Sequence, residues 1–463
     1  MTLDPTLLSR IQFGFTIAFH ILFPTLNVGL ALFLAIMEGR WLKTGHPVYL
    51  KICQFWSKIF ALTFGMGVVT GVVLSYELGT NFGPFIQVAG GVIGALFVYE
   101  VLAAFFLEAG FLGVMLFGWD KVSPRLHYFA TCMVALGTLI STCAIMSANA
   151  WMQTPTGFHE AGGQYVVDSW KAVILNPSYF PMMLHMLVAS WLSTCFMVAG
   201  VSAWHLLKNR HVDLSKRCFR FTLMTAFFIS ILQVFLGDHL GLHVQHTQPL
   251  KTAAVEAIWE TQKAAPFLFF AVPDSRQEKN HYALGVPKLA SLLNTHRWDG
   301  EMIGLKSVAP QDRPPVGITF WMFRVMVGIG FLFVAVSAYA LFLQLRGQLF
   351  KKPWFYQLCV LMSPLGFVST IAGWIVTERG RQPWLIYGWM RTAEGASHLP
   401  WHQVLTSLIL VILVYSIVFG FYLYYLCQVI RKGPDDSKPK KAAEIVEAAP
   451  FKYLSPEEHI GER

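Results

Sequence analysis

The chain has 463 residues, of which 55% are hydrophobic and only 13% charged, with a formal net charge of +9. A soluble domain carries roughly 25% charged residues, so the composition excludes an ordinary soluble protein and predicts an all-α integral membrane protein. The basic excess lies in short connections and the tail, where membrane orientation accounts for it, so nucleic acid is not an expected partner.

About nine segments are long and apolar enough to cross a bilayer: approximately 11–37, 52–77, 91–117, 126–150, 179–207, 221–241, 318–345, 354–378 and 402–430. The first lacks a basic n-region and a small-residue cleavage site before it, and is expected to be retained as a span. Eighteen Lys and Arg fall in the short connections on one side and five in those on the other. The positive-inside rule then places the N-terminus outside and the C-terminus in the cytoplasm. The outer connection 242–317 is far longer than the rest, and Gln248 to Glu260 reads as an amphipathic helix after Pro249. A connection of that length is expected to be functional. Residues 431–463 form a polar, Lys- and Glu-rich tail, expected to be disordered. The seven cysteines make no CxxC pair and read as small hydrophobes, not as a disulfide or metal framework.

The ionisable residues inside the spans carry the chemistry. With the orientation above, His20, His185, Met326 and Glu378 all fall in the outer half of the membrane. Imidazole and thioether are axial ligands of haem iron, and His185 and Met326 lie at about the same depth on different spans, as a shared porphyrin requires. Arg324 and Arg381 have the geometry to pair with propionates. A lone intramembrane His or Met is otherwise ordinary packing. On the third span, Glu100 and Glu108 are two turns apart and near one face, with Glu100 about 15 Å from the outer mouth. Two carboxylates in line suit a proton path from the cytoplasm. Ser141 and Asn149, also eight apart on the fourth span, could extend that polar line or serve as packing glue. Lys58 and Glu77, near opposite ends of span two, are explained by snorkelling. With no His-His pair, a haem–copper centre is not expected, and no P-loop pattern occurs.

These residues sit in motifs that resemble one family over essentially the whole chain to about residue 430. They are Ser9 to Gly14 followed by His20; Gly79-Thr80-Asn81-Phe82; Glu100 and Glu108; Asn149 to Gln153; Gly237-Asp238; Gln248 to Glu260; Phe323 to Gly328; and Gly373-Trp374 through Trp384. The sequence resembles subunit I of cytochrome bd-type quinol oxidases, and its compact loop resembles the short-loop, cyanide-insensitive branch. The resemblance implies oxidation of membrane quinol and reduction of oxygen to water, with three haems. His185 and Met326 match the axial pair of a low-spin haem b. His20 and Glu378 match ligands of the two high-spin haems, one a haem b and the other a haem d or a third haem b. Glu100 and Glu108 match a haem-side carboxylate and a proton-channel residue. Trp374 matches a tryptophan lying among the haems, Lys251 and Glu256 match quinol-loop residues, and Arg324 and Arg381 match arginines near haems. It further implies a bacterial cytoplasmic (inner) membrane location, a partner subunit II and room for a small accessory subunit. Glu77 stands where the family more usually has an amide. On the residues alone, a proton-coupled transporter and a haem-bearing quinone-linked module without oxygen chemistry remain rival readings.

Overall fold

The computed structural model describes residues 3–434. Among them nine helical spans are long and apolar enough to cross a membrane, in agreement with the hydropathy pattern. The tail expected to be disordered lies, from residue 435 on, outside the described residues.

The first span is two helices, α1 (Pro5–His20) and α2 (Leu22–Thr44). Pro24 has no N–H to offer the carbonyl of His20, so the helical ladder is interrupted where His20 leaves α1. Span two is α3 (Pro47–Asn81). Span three is α4 (Gly83–Tyr99), a π-helical stretch (Glu100–Phe105) and α5 (Phe106–Phe117). Then come α6 (Pro124–Gln153), a hairpin of β1 (Phe158–Ala161) and β2 (Gln164–Val167), α7 (Trp170–Ile174), α8 (Tyr179–Leu207) and α9 (Val212–Thr247).

The long connection is a folded unit: α10 (Pro249–Glu256), β3 (Gln262–Lys263), β4 (Phe267–Asp274), β5 (Lys279–Val286), α11 (Leu289–Thr295) and β6 (Glu301–Met302). β4 pairs antiparallel with β5, and β3 with β6. After it come α12 (Val316–Leu345), α13 (Pro353–Met362), α14 (Leu365–Arg379), β7 (Trp384–Ile386), β8 (Met390–Arg391), α15 (Thr392–Gly395) and α16 (Trp401–Lys432). α13 and α14 divide one span at Ser363-Pro364. There the Ser363 hydroxyl donates to the Val360 carbonyl (2.8 Å), the acceptor that Pro364 cannot serve.

The helices outrun the apolar segments that announced them. Span three begins at Gly83 rather than near 91, which puts Glu100 about 26 Å along the helix rather than about 15 Å. Hydropathy senses only the bilayer-facing stretch, whereas the ends are set by caps. Asp4 accepts from Thr6 N (2.9 Å), His46 from Val48 N (3.2 Å) and Ser123 from Leu126 N (3.3 Å), each just before a proline. The amphipathic helix expected over 248–260 stops at Glu256, where Ala257 turns left-handed (φ 54°) and sends Ile258 and Trp259 into the loop core.

α8 is the central helix, with 67% of its apolar stretch buried. Small residues on it and opposite it permit this. A Cβ on Gly29 of α2 would lie 2.2 Å from Thr194 Oγ1, and one on Gly366 of α14 2.5 Å from Ser193 Oγ. Apolar pressure does not drive helices together in lipid, so such close backbone approach supplies the packing. On its other side, Phe196 stacks on Phe333 of α12 at 4.0 Å between centroids.

Lys58 is exposed, consistent with snorkelling, but Glu77 is not a snorkelling residue. It is 2% exposed, and its Oε1 accepts from Gln12 Nε2 (3.0 Å) and Thr16 Oγ1 (2.8 Å) of α1. Two donors on the neighbouring helix make the inward position cheaper than reaching for water.

Candidate functional site

His20 ends α1, and its Nδ1 lies 2.8 Å from Thr70 Oγ1. That hydroxyl donates its own proton to the Met66 carbonyl (2.8 Å), so it can only accept from the ring. Nδ1 therefore carries the hydrogen, and Nε2 keeps its lone pair for a metal. Opposite the ring is Gly71, where a Cβ would come within 3.2 Å of His20 Cε1.

His185 and Met326 sit on α8 and α12, above the Phe196–Phe333 stack. Counting helix rise from that stack puts His185 about 16 Å and Met326 about 10 Å towards the loop end, so both lie on the loop side of the stack, offset by about 6 Å in depth. Each again faces a glycine. A Cβ on Gly237 of α9 would be 3.5 Å from His185 Cε1, and one on Gly373 of α14 2.7 Å from Met326 Sδ. Gln233 Nε2 lies 3.2 Å from both His185 ring nitrogens.

Glu378, at the end of α14, accepts from Asn149 Nδ2 of α6 (2.8 Å) and pairs with Arg381. Eight residues back along α6, Ser141 donates to Glu100 (2.7 Å), at the head of the π-helical stretch. One face of α6 thus touches both carboxylates. Glu108 is 7% exposed and packs on Gly137 of the same helix, where a Cβ would lie 2.4 Å from its Cγ.

The loop seats α10 over this end of the bundle. Lys251 is buried and donates to Gln153 Oε1 (2.6 Å), which also takes Gln248 Nε2 (3.1 Å). Burial, with Arg381 nearby, pushes the Lys251 amine down to about 7 against the pull of Glu378. Glu256 is 2% exposed and meets Arg324 Nη2 at 3.0 Å. Burial raises its carboxyl above the usual range, opposed by that guanidinium. Arg324 also donates to the carbonyls of Leu268 (2.7 Å) and Val255 (2.6 Å), so it holds the loop from beneath. Arg381 behaves otherwise. Its Nε and Nη1, the Arg379 Nε and the Trp374 Nε1 are all buried without a hydrogen-bond partner.

The donor set fits haem. Imidazole and thioether are haem-iron ligands, glycines let His20, His185 and Met326 pack close to neighbouring backbone, and the unpartnered donors around Glu378 are of the kind that anionic propionates satisfy. Thr70, Gln153 and Gln233 are additions from the structure. Thr70 and Gln233 are polar residues in apolar runs, with no spacing that singles them out. Gln153 closes a quoted motif but gave no hint of its partner.

The comparisons follow the same lines. Residues 8–434 match the family described as cytochrome bd terminal oxidase subunit I. The chain is 33% identical to cytochrome bd ubiquinol oxidase subunit 1 of Bacillus subtilis (strain 168), over 92% of this chain and 94% of that protein. It is 31% identical to cytochrome bd-II ubiquinol oxidase subunit 1 of Escherichia coli (strain K12), over 92% and 96%. It superposes on the bd oxidase of Geobacillus thermodenitrificans with a TM-score of 0.87 and 33% identity, covering 93% of this chain and 99% of that one. A match running from α1 to the end of α16, together with a cradle suited to haem, makes this chain a member of the cytochrome bd terminal oxidase subunit I family.

Proposed function

We propose that the protein is the haem-bearing subunit of an electrogenic quinol oxidase of a bacterial inner membrane. It oxidises quinol at the outer face and draws the protons for water from the cytoplasm. Two relatives are named as subunit 1 of ubiquinol oxidases, which supports a quinol substrate and a subunit II partner here. His185 and Met326 would hold a low-spin haem b, His20 and Glu378 the two high-spin haems, and Arg381, Arg379 and Trp374 would donate to their polar edges. When bound, the haems supply one-electron transfer and oxygen binding.

The chain's own residues do the rest. Lys251 and Glu256 face quinol from α10. With its amine near neutrality, Lys251 can hold or yield a proton at Nζ at working pH. Glu256, backed by Arg324, can accept a quinol proton and release it outside. Glu108 hands a proton to Glu100, which Ser141 Oγ orients. The observation that carries this reading is the single face of α6 that bonds both Glu100 and Glu378. It gives protons a line across the bundle on a helix that is not part of the quinol loop. Charge then separates without a pump, because the two half-reactions use opposite sides.

The test is the purified complex in proteoliposomes, with reduced-minus-oxidised and carbon monoxide spectra as the entry check. Haem bands that shift with carbon monoxide, quinol-driven oxygen uptake and a membrane potential, positive outside, are expected. Oxygen uptake without a potential would refute the sidedness, and a haem spectrum indifferent to carbon monoxide would leave an electron-transfer module.

A further inference from the structure

At the tail end of the bundle, far from the haem ligands, two ionisable side chains are buried together. Glu38 of α2 is 1% exposed and His127 of α6 is 2% exposed. His127 Nδ1 lies 2.6 Å from Glu38 Oε1, and Thr131 Oγ1 donates to Glu38 Oε2 at 2.6 Å. His127 Nε2 is 3.1 Å from the carbonyl of Met115, near the end of α5. A carbonyl only accepts, so Nε2 carries a hydrogen, and the short Nδ1–Oε1 contact shares one further proton. The indole of Trp119, in the turn after α5, lies on the imidazole at 3.8 Å between centroids. Trp119 is itself part-exposed, so its indole reaches from the buried pair to the surface of the protein. Cys53 of α3 and Tyr128 and Cys132 of α6 are the titratable groups that feel Glu38.

We propose that Glu38 and His127 form the cytoplasmic proton-loading pair that supplies Glu108. The proposal rests on the reading above that protons reach Glu108 from the cytoplasm. The geometry has three parts. With its shared proton the pair is neutral overall, so its burial costs far less than that of a lone charge. Giving that proton up leaves a carboxylate beside a neutral imidazole. This net negative charge draws a replacement past Trp119, one proton in for one out. Finally, His127 stands on the helix that bonds Glu100 and Glu378. Thr131, Thr138 and Ser141 follow His127 up α6, and Gly137, against which Glu108 packs, is about 9 Å above Thr131. Two or three water molecules span ~9 Å at ordinary hydrogen-bond spacing. Holding α5 through Met115 explains the bond at Nε2, but it does not require a carboxylate shared at Nδ1.

The test uses the whole complex in nanodiscs. Glu38→Gln keeps an acceptor for Thr131 and offers His127 an amide hydrogen, but it carries no transferable proton. Quinol-driven oxygen consumption between pH 5.5 and 8.5 is expected to fall at least tenfold. Anaerobic reduction of the haems by quinol should be unchanged, and Glu38→Asp should recover most of the rate. Consumption within twofold of the wild type would overturn the proposal. So would an equal slowing of anaerobic haem reduction in Glu38→Gln and Glu38→Asp, the mark of a structural lock. Glu108→Gln is run beside them. If Glu108→Gln is also within twofold of the wild type, the cytoplasmic route itself fails. If it is slow while Glu38→Gln is not, only the loading pair fails.

Discussion

Replacing Arg324 by methionine separates two roles for this arginine. Its guanidinium forms hydrogen bonds with Glu256 Oε2 (3.0 Å) and with the carbonyls of Leu268 (2.7 Å), Val255 (2.6 Å) and Phe320 (3.1 Å). It also stacks 3.5 Å above the Phe320 ring. Methionine fills much of the volume but leaves a buried carboxylate and two loop carbonyls without their donor. Breaking a buried ion pair on one side costs about 3–5 kcal/mol. Glu256 can escape part of this by taking up a proton, which its raised pKa already favours, so about 3 kcal/mol is the appropriate figure. That energy stands against docking of the loop and raises its open population about 100-fold. Limited proteolysis of the intact complex reads this population when cleavage is slow relative to reclosing. Cleavage between α10 and α12 should accelerate about 100-fold, and the quinol KM should rise, while the haem spectrum stays unchanged. Cleavage within threefold of the wild type would refute the reasoning. So would loss of a haem band with the loop intact, which would return Arg324 to a propionate.

Three further outcomes follow from other contacts. Thr70→Val removes the acceptor that fixes the His20 tautomer, and the affinity of the haem proposed at His20 should fall about 10–100-fold, measured as haem retained per protein. Gly137→Ala pushes a methyl group into Glu108 Cγ, at a cost of about 1–3 kcal/mol. Turnover should drop with haem content intact, and an unchanged rate would show that the Glu108 rotamer does not matter. Lys251 has a bound-state pKa depressed to about 7 from 10.5 by burial, so between these values the undocked loop binds more protons than the docked one. Docking should therefore strengthen as pH rises from about 7 towards 10.5, and Lys251→Met should flatten that dependence in the same proteolysis assay.

The spans were legible because twenty apolar residues have few other uses. The eight-residue step on α6 was legible as a polar line, but its partners were not: Ser141 meets Glu100 and Asn149 meets Glu378 from other helices. Periodicity did not reveal the π-helical stretch at Glu100–Phe105, since an extra residue in one turn leaves hydropathy unchanged. Nor did it reveal that Glu77 points inward, because that depends on Gln12 and Thr16 arriving from another helix. The sequence pairs Arg324 with a propionate, yet the partners it has come from a loop whose fold no local pattern announced. Glu38 and His127 passed unnoticed for the same reason: each is unremarkable on its own span, and only the packing of α2 against α6 joins them.

α10 leans on Gly380 so closely that a Cβ there would lie 2.6 Å from Lys251 Cγ, and Gly380 is two residues beyond Glu378. The loop helix and the carboxylate terminus of α14 therefore cannot shift independently. Thermodynamic linkage makes such a contact a two-way instrument. A compound that stiffens α10 changes the affinity of whatever Glu378 holds, and that ligand changes the compound's affinity by an equal factor. An inhibitor of one end can then be titrated by watching the other.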